Sequence, residues 1–122
     1  MHHGVAVGIF AIYVIQFLSK NSDRYINIAE LFDVDIKKHS RAEILSELTV
    51  KYKIFLKKLE LPTCISELKD SNISIEQIKS RMNDLINFAW DDICTFDNAR
   101  VPIKEELEKI FLYAYEGKDI NF

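Results

Sequence analysis

The feature that most restricts this chain is the run "VAVGIFAIYVIQFL" at 5–18, about 14 residues in which Gln16 is the one strongly polar side chain. Val5, Val7, Ile9, Ile12, Val14 and Ile15 are β-branched and by propensity would suit a strand. Length decides otherwise, because buried strands end after roughly four to eight residues, so the run predicts a helix over 3–21. It is shorter than the roughly 20 residues that cross a hydrocarbon core. A helix apolar all round belongs at the centre of a bundle. Gly8, inside it, costs on the order of 1 kcal/mol against alanine and is expected where another backbone or a ligand comes close.

The rest of the chain carries helical signals only. A second helix is expected over 22–34, with Tyr25, Ile28, Ala29, Leu31 and Phe32 on one side. Ser40-Arg41-Ala42-Glu43 is a capping box, in which hydroxyl and carboxylate each satisfy a backbone N–H left over at a helix start. Leu45, Leu48, Tyr52, Phe55 and Leu59 follow at spacings of three and four as one apolar stripe, and Pro62 stops the helix. After the turn "TCISELKD", Ser74-Ile75-Glu76-Gln77 is a second capping box, leading into Ile78, Met82, Leu85, Ile86 and Ala89. "WDDICTFDNARV" has no helical period and reads as an ordered loop. Pro102 is expected to open the last helix and Gly117 to cap it. The architecture expected is a single all-α domain over 1–122, a bundle of five to six helices.

Composition narrows the partners. The formal charge of −3 contains no block of like charges, which removes the electrostatic case for nucleic acid or an anionic membrane. Cys64 and Cys94 are too far apart for a CxxC pair, and with three histidines in the chain no closed zinc site follows from local spacing. Two buried or semi-buried free thiols suit a reducing cytoplasm.

Candidate chemistry is sparse. There is no Gly-rich phosphate loop, G-x-S-x-G or H-E-x-x-H. His2 and His3 are neighbours, so on a helix their side chains diverge by roughly 100° and do not readily share one ion. His39 stands in a basic linker and is expected to be solvated. Asp91 and Asp92 read as a solvated helix end rather than a carboxylate pair. By residue type alone, a histidine at a helix start is a cap or a surface group more often than a ligand.

Three stretches taken together resemble the C-terminal half of the iron-containing alcohol dehydrogenases. "HHGVAVGIFAIYVIQFL" is similar to their P-H-G helix, and "LELPTCISEL" to their G-L-P-T-x-L-x-E-L turn. "DDICTFDNARVPIKEELEKIFLYAYEGK" is similar to the D-x-x-T-x-x-N-P-R loop and final helix. The match runs collinearly from 2 to 117. Glycerol dehydrogenases and dehydroquinate synthases share the H-G helix, but the "CTFDNAR" loop favours the alcohol dehydrogenases.

The resemblance implies a helical domain that, in full members, holds one divalent metal, iron or zinc, through an Asp and three His. Those members bind NAD(P) on a separate nucleotide-binding domain. His3 matches the metal-binding His that precedes Gly, with His2 where the family has Pro. Cys94 matches a loop near the substrate pocket, beside the plainer reading of an ordinary thiol. Asn98 and Arg100 match the N-P-R positions, with Ala99 replacing Pro, and are expected to pin their loop by hydrogen bonds. The nucleotide-binding domain and three of the four metal ligands lie outside this sequence, so no cofactor or tight metal binding is expected of the chain alone. Two functions are compatible with this: a portion of an alcohol dehydrogenase, inactive unless joined by a complementary N-terminal nucleotide-binding polypeptide, or a stand-alone interaction or dimerisation module of that descent. Either leaves apolar surface exposed, and self-association is expected.

Overall fold

Seven α-helices and one 3-10 turn make up the described residues of the computed structural model, 1–69 and 72–122, with no strand among them. The helices are α1 (His3–Leu18), α2 (Tyr25–Leu31), α3 (Arg41–Lys58), α4 (Ile75–Ser80), α5 (Met82–Asp91), α6 (Ile93–Phe96) and α7 (Lys104–Glu116), with the 3-10 turn at Ile65–Glu67. The all-α class is therefore observed, with more segments than expected. The helix read through Ile78 to Ala89 is broken at Arg81, whose φ of −105° and ψ of 6° close α4 before α5 begins. The segment read as a loop contains α6, capped by the Asp92 carboxylate, which accepts from the Cys94 N–H at 2.8 Å. No described helix is long and apolar enough to cross a membrane. Of the 63–70 turn, Asp70 lies outside the described residues.

α1 packs on α3 and α7 and buries Ile9, Ile12, Tyr13, Gln16 and Phe17. It is not enclosed all round: Val7 and Val14 remain 54% and 40% exposed. The two polar handles of the helix point inward instead. The Tyr13 hydroxyl donates to the Thr63 carbonyl at 3.0 Å, and burial pushes its phenol pKa up. The Gln16 amide, 5% exposed, donates to Thr49 Oγ1 at 3.0 Å and Asp119 Oδ1 at 3.1 Å. Its oxygen accepts from the Ile120 N–H at 2.8 Å. Gly8 has no close neighbour that would explain it, since a Cβ there would meet only Leu56 Cδ2 at an ordinary 3.8 Å.

Both capping boxes form. Ser40 Oγ accepts from the Glu43 N–H at 3.3 Å, and Glu43 Oε2 accepts from the Ser40 N–H at 2.7 Å. Those bonds, the one from the Ser40 backbone first, hold the Glu43 carboxyl below its ordinary range. Ser74 and Gln77 repeat the pattern. The buried residues of α3 are Ile44, Leu48, Thr49 and Leu56; of the expected stripe Leu48 is buried and Leu45 and Tyr52 pack against the core, while Phe55 and Leu59 stay exposed. α1 and α2 both pack on this face. α2 and α3 close on left-handed residues that are not glycine, Asp33 (φ 57°) and Glu60 (φ 58°).

Pro102 sits one residue before the α7 cap, Ile103, rather than inside the first turn; Glu106 Oε2 accepts the Ile103 N–H there at 3.1 Å. Gly117 ends α7 at φ 75°, and its N–H and that of Lys118 both donate to the Tyr113 carbonyl. A side chain at Gly117 would be strained by that φ and would lie 3.4 Å from the Cys64 Cβ. The turn holding Cys64 is fixed by Glu67, which accepts from the Thr63 N–H at 2.7 Å and its hydroxyl at 2.9 Å. These contacts, the backbone one first, keep the Glu67 carboxyl below its ordinary range.

Removing the Gln16 amide leaves the Ile120 N–H without its acceptor and opens a void beside Thr49. Gln16→Ala is expected to lower unfolding free energy by about 2–4 kcal/mol in a urea titration. Hydrogen exchange at Ile120 should rise more than exchange in α5.

Candidate functional site

The site begins at the first turn of α1. His2 is its N-cap and His3 its first residue; both side chains are exposed. Nothing lies within 4 Å of a Cβ built on Gly4, so the turn faces open space. Among the described residues no three His, Cys, Asp or Glu side chains come together as a metal-binding group. A single exposed imidazole has neither the ligand number nor the geometry that a divalent metal requires, so the residues present do not by themselves fit such an ion. His39 lies elsewhere, at the start of α3, with Nε2 3.2 Å from Glu47 and Nδ1 3.7 Å from Glu43. It is a surface group paired with acids rather than a purely solvated one.

Residues 3, 7, 10 and 14 of α1 lie within about 60° of one another at 100° per residue, so His3, Val7, Phe10 and Val14 share one face. That face leads into an apolar groove of 290 Å³. Phe10, Val14 and Phe17 form one wall, Leu107 and Phe111 of α7 the other, and Thr95 closes it from the α6 side. The Phe10 and Phe111 rings meet edge to face at 5.5 Å. Beyond Leu18 and Asn98, which line both spaces, a more polar cleft of 650 Å³ opens between α1, α2 and the loop, bordered by Ser22, Arg24, Tyr25 and Asp97.

The loop from Cys94 to Arg100 is held at two levels. Asn98 Nδ2 donates to the Cys94 carbonyl and, at 3.5 Å, to that of Thr95, so it ties the loop to itself. Arg100 reaches further. Its Nη1 donates to the Phe17 carbonyl at 3.1 Å and the Phe122 carbonyl at 3.0 Å, and Nη2 meets Glu106 Oε1 at 2.6 Å. The guanidinium lies 3.8 Å above the Phe17 ring. It therefore fastens the loop to the end of α1, to the start of α7 and to Phe122, rather than to carbonyls of its own loop.

Cys94 is exposed, where a buried or semi-buried thiol was expected; Cys64 is the buried one. The Asp92 carboxylate beside it, through a hydrogen bond and its charge, raises the Cys94 thiol pKa and keeps it a weak nucleophile. Its neighbour Thr95, not Cys94, lines the groove. Asp91 and Asp92 are both exposed, and Asp92 acts as the α6 cap. Val7 and Val14 belong to a second stripe of α1, 3–7–10–14, turned away from the buried stripe 9–12–13–16.

No protein-family model matches the chain. One curated relative is 33% identical over 121 residues, an NADPH-dependent butanol dehydrogenase of Clostridium saccharobutylicum. The similarity is to part of an alcohol dehydrogenase. The aligned region takes in 98% of this chain and 30% of that enzyme, so the chain spans less than a third of its relative's length.

Arg100 joins three elements with charge-assisted bonds, which a lysine's single ammonium cannot reproduce. Arg100→Lys is expected to cost about 1–3 kcal/mol in denaturant unfolding, and Asn98→Ala less than about 1 kcal/mol because its contacts are exposed.

Proposed function

We propose that this chain is the helical, metal-domain portion of an iron-type, NAD(P)-dependent alcohol dehydrogenase, a single domain over 1–122 that is inactive alone. The observation that carries the reading is the 33% identity to a butanol dehydrogenase along 98% of the chain, with a histidine exposed at the open first turn of α1. In this reading His3 supplies one of four metal ligands. A complementary nucleotide-binding polypeptide supplies the other three and the NADPH site. The bound divalent ion would act as a Lewis acid toward the alcohol oxygen. Arg100 and Asn98 hold the loop that borders the cleft, and Cys94 is an exposed thiol of that loop. The two free cysteines support a reducing, cytoplasmic setting.

The test is a chimera in which this chain replaces the aligned part of the Clostridium enzyme, checked for fold by circular dichroism. Butanal reduction by NADPH that requires added Fe²⁺ or Zn²⁺ is expected, and His3→Ala should lower kcat/KM by at least about 100-fold. A folded chimera that is inactive, or one indifferent to His3→Ala, overturns the reading.

A second reading, a stand-alone interaction module, draws on exposed apolar side chains: Leu31 at 83%, Ile93 at 81% and Phe88 at 74%. Self-association through such surface is expected. Sedimentation equilibrium should show a mass that rises with concentration, and Phe88→Ser with Ile93→Ser should return it to the monomer. A wild-type mass that stays monomeric at high concentration counts against any homo-oligomer.

A further inference from the structure

Folding leaves two exposed apolar faces of opposite charge on different helices. From 82 to 99 the chain has four aspartates and no Lys, Arg or His; from 48 to 59 it has four lysines and no Asp or Glu. We propose that a second copy of this chain covers them, the aspartate-rich face of α5 and α6 on one copy docking against the lysine-rich second half of α3 on another. The inference deepens the self-association reading given above by naming the two surfaces that meet, and it draws nothing from the dehydrogenase reading.

Each face sets exposed hydrocarbon beside charge. On α3, Val50, Ile54 and Lys57 lie within about 60° of one another at 100° per residue. Val50 and Ile54 are 55% and 48% exposed, and Lys57 and Lys58 are exposed with them. On α5, Asp84, Phe88 and Asp91 repeat the same i, i+4, i+7 spacing and share an equally narrow face. Asp92 and Ile93 follow where α5 passes into α6. Large apolar side chains as exposed as Phe88 and Ile93 mark surface that a partner covers.

Part of the charge on both faces is unspent within the chain. Lys51 is held by Glu47, Lys53 by Asp119 and Asp84 by Arg81. Among the described residues Lys57, Lys58, Asp91 and Asp97 form no ion pair, and none of the pairs that do form joins α3 to α5 or α6. α3 packs chiefly on α1 and α2, and α5 chiefly on α7, so the two faces are left to meet between molecules. Charge then selects the pairing. Laying either face on its own counterpart sets aspartate against aspartate or lysine against lysine, which is costly across an interface, whereas unlike faces attract and steer each other into contact.

Two half-blocked chains test the pairing. Ile54→Asp blocks the α3 face, Phe88→Ser with Ile93→Ser blocks the other, and circular dichroism checks that both fold. In sedimentation equilibrium the wild type is expected to associate and each variant alone to stay monomeric. An equimolar mixture of the two should reach twice the chain mass, because each keeps the face that the other lacks. Lys57→Glu with Lys58→Glu should behave as Ile54→Asp does, and it decides the matter if Ile54→Asp does not fold. A wild type that stays monomeric overturns this proposal together with self-association. A half-blocked chain that still associates alone means that one face pairs with itself, and it overturns the pairing of unlike faces while self-association stands; a mixture that stays monomeric does the same. So does wild-type association as strong in about 0.5 M NaCl as in about 0.05 M, since screening of exposed charges should weaken it about tenfold or more.

Discussion

The rotation of α1 about its own axis is the constraint on which the rest of the structure depends, and two buried polar groups set it. Gln16 must place its amide where Thr49, Asp119 and the Ile120 N–H can satisfy it, and Tyr13 must reach the Thr63 carbonyl. An unpaired amide in that position would cost about 1–3 kcal/mol, comparable to the gain from burying a valine. With Tyr13 and Gln16 one turn apart and both inward, Val7 and Val14 are left on the opposite side. Lys53, 3.1 Å from Asp119, strengthens the same junction from α3. Polar groups, not apolar ones, thus decide which apolar face stays open.

A second junction sets the other end of that helix. Arg100 gathers the last turn of α1, the first turn of α7 and Phe122 around one guanidinium, with Glu106 as its counter-ion. Glu106 also caps α7 through the Ile103 N–H, so one carboxylate closes a helix and balances a charge. The groove lies between this clamp and the Phe10–Phe111 pair, and its walls are fixed by contacts that have nothing to do with a ligand.

The all-α class was legible because helix signals are local: both capping boxes, the proline after α3 and the glycine after α7 form where their spacing requires. The extent of burial was less legible. α3 keeps its expected face, with Leu48 buried and Leu45 and Tyr52 against the core, yet Phe55 and Leu59 near its end stay exposed, because how far α1 and α2 cover the helix is not encoded in its own pattern. α1 misled more thoroughly, since a helix apolar along most of its length carries no amphipathic signal and Gln16, the strongly polar residue of its apolar run, is among those buried. At the candidate site, residue pattern alone stopped at a histidine of no particular meaning, and the resemblance supplied the rest. The roles of Arg100 and Glu106 depend on groups up to 83 positions away.

The closeness of Gly117 to Cys64 gives the molecule an internal clock. The Cys64 thiol lies under the α7 cap, while Cys94 stands in water. A thiol reagent therefore meets one site that is always available and another that appears only when the segment after α7 lifts away. The lag between the two modifications measures how often that segment undocks, and with it how firmly the Gln16 and Arg100 junctions hold the end of the fold in place.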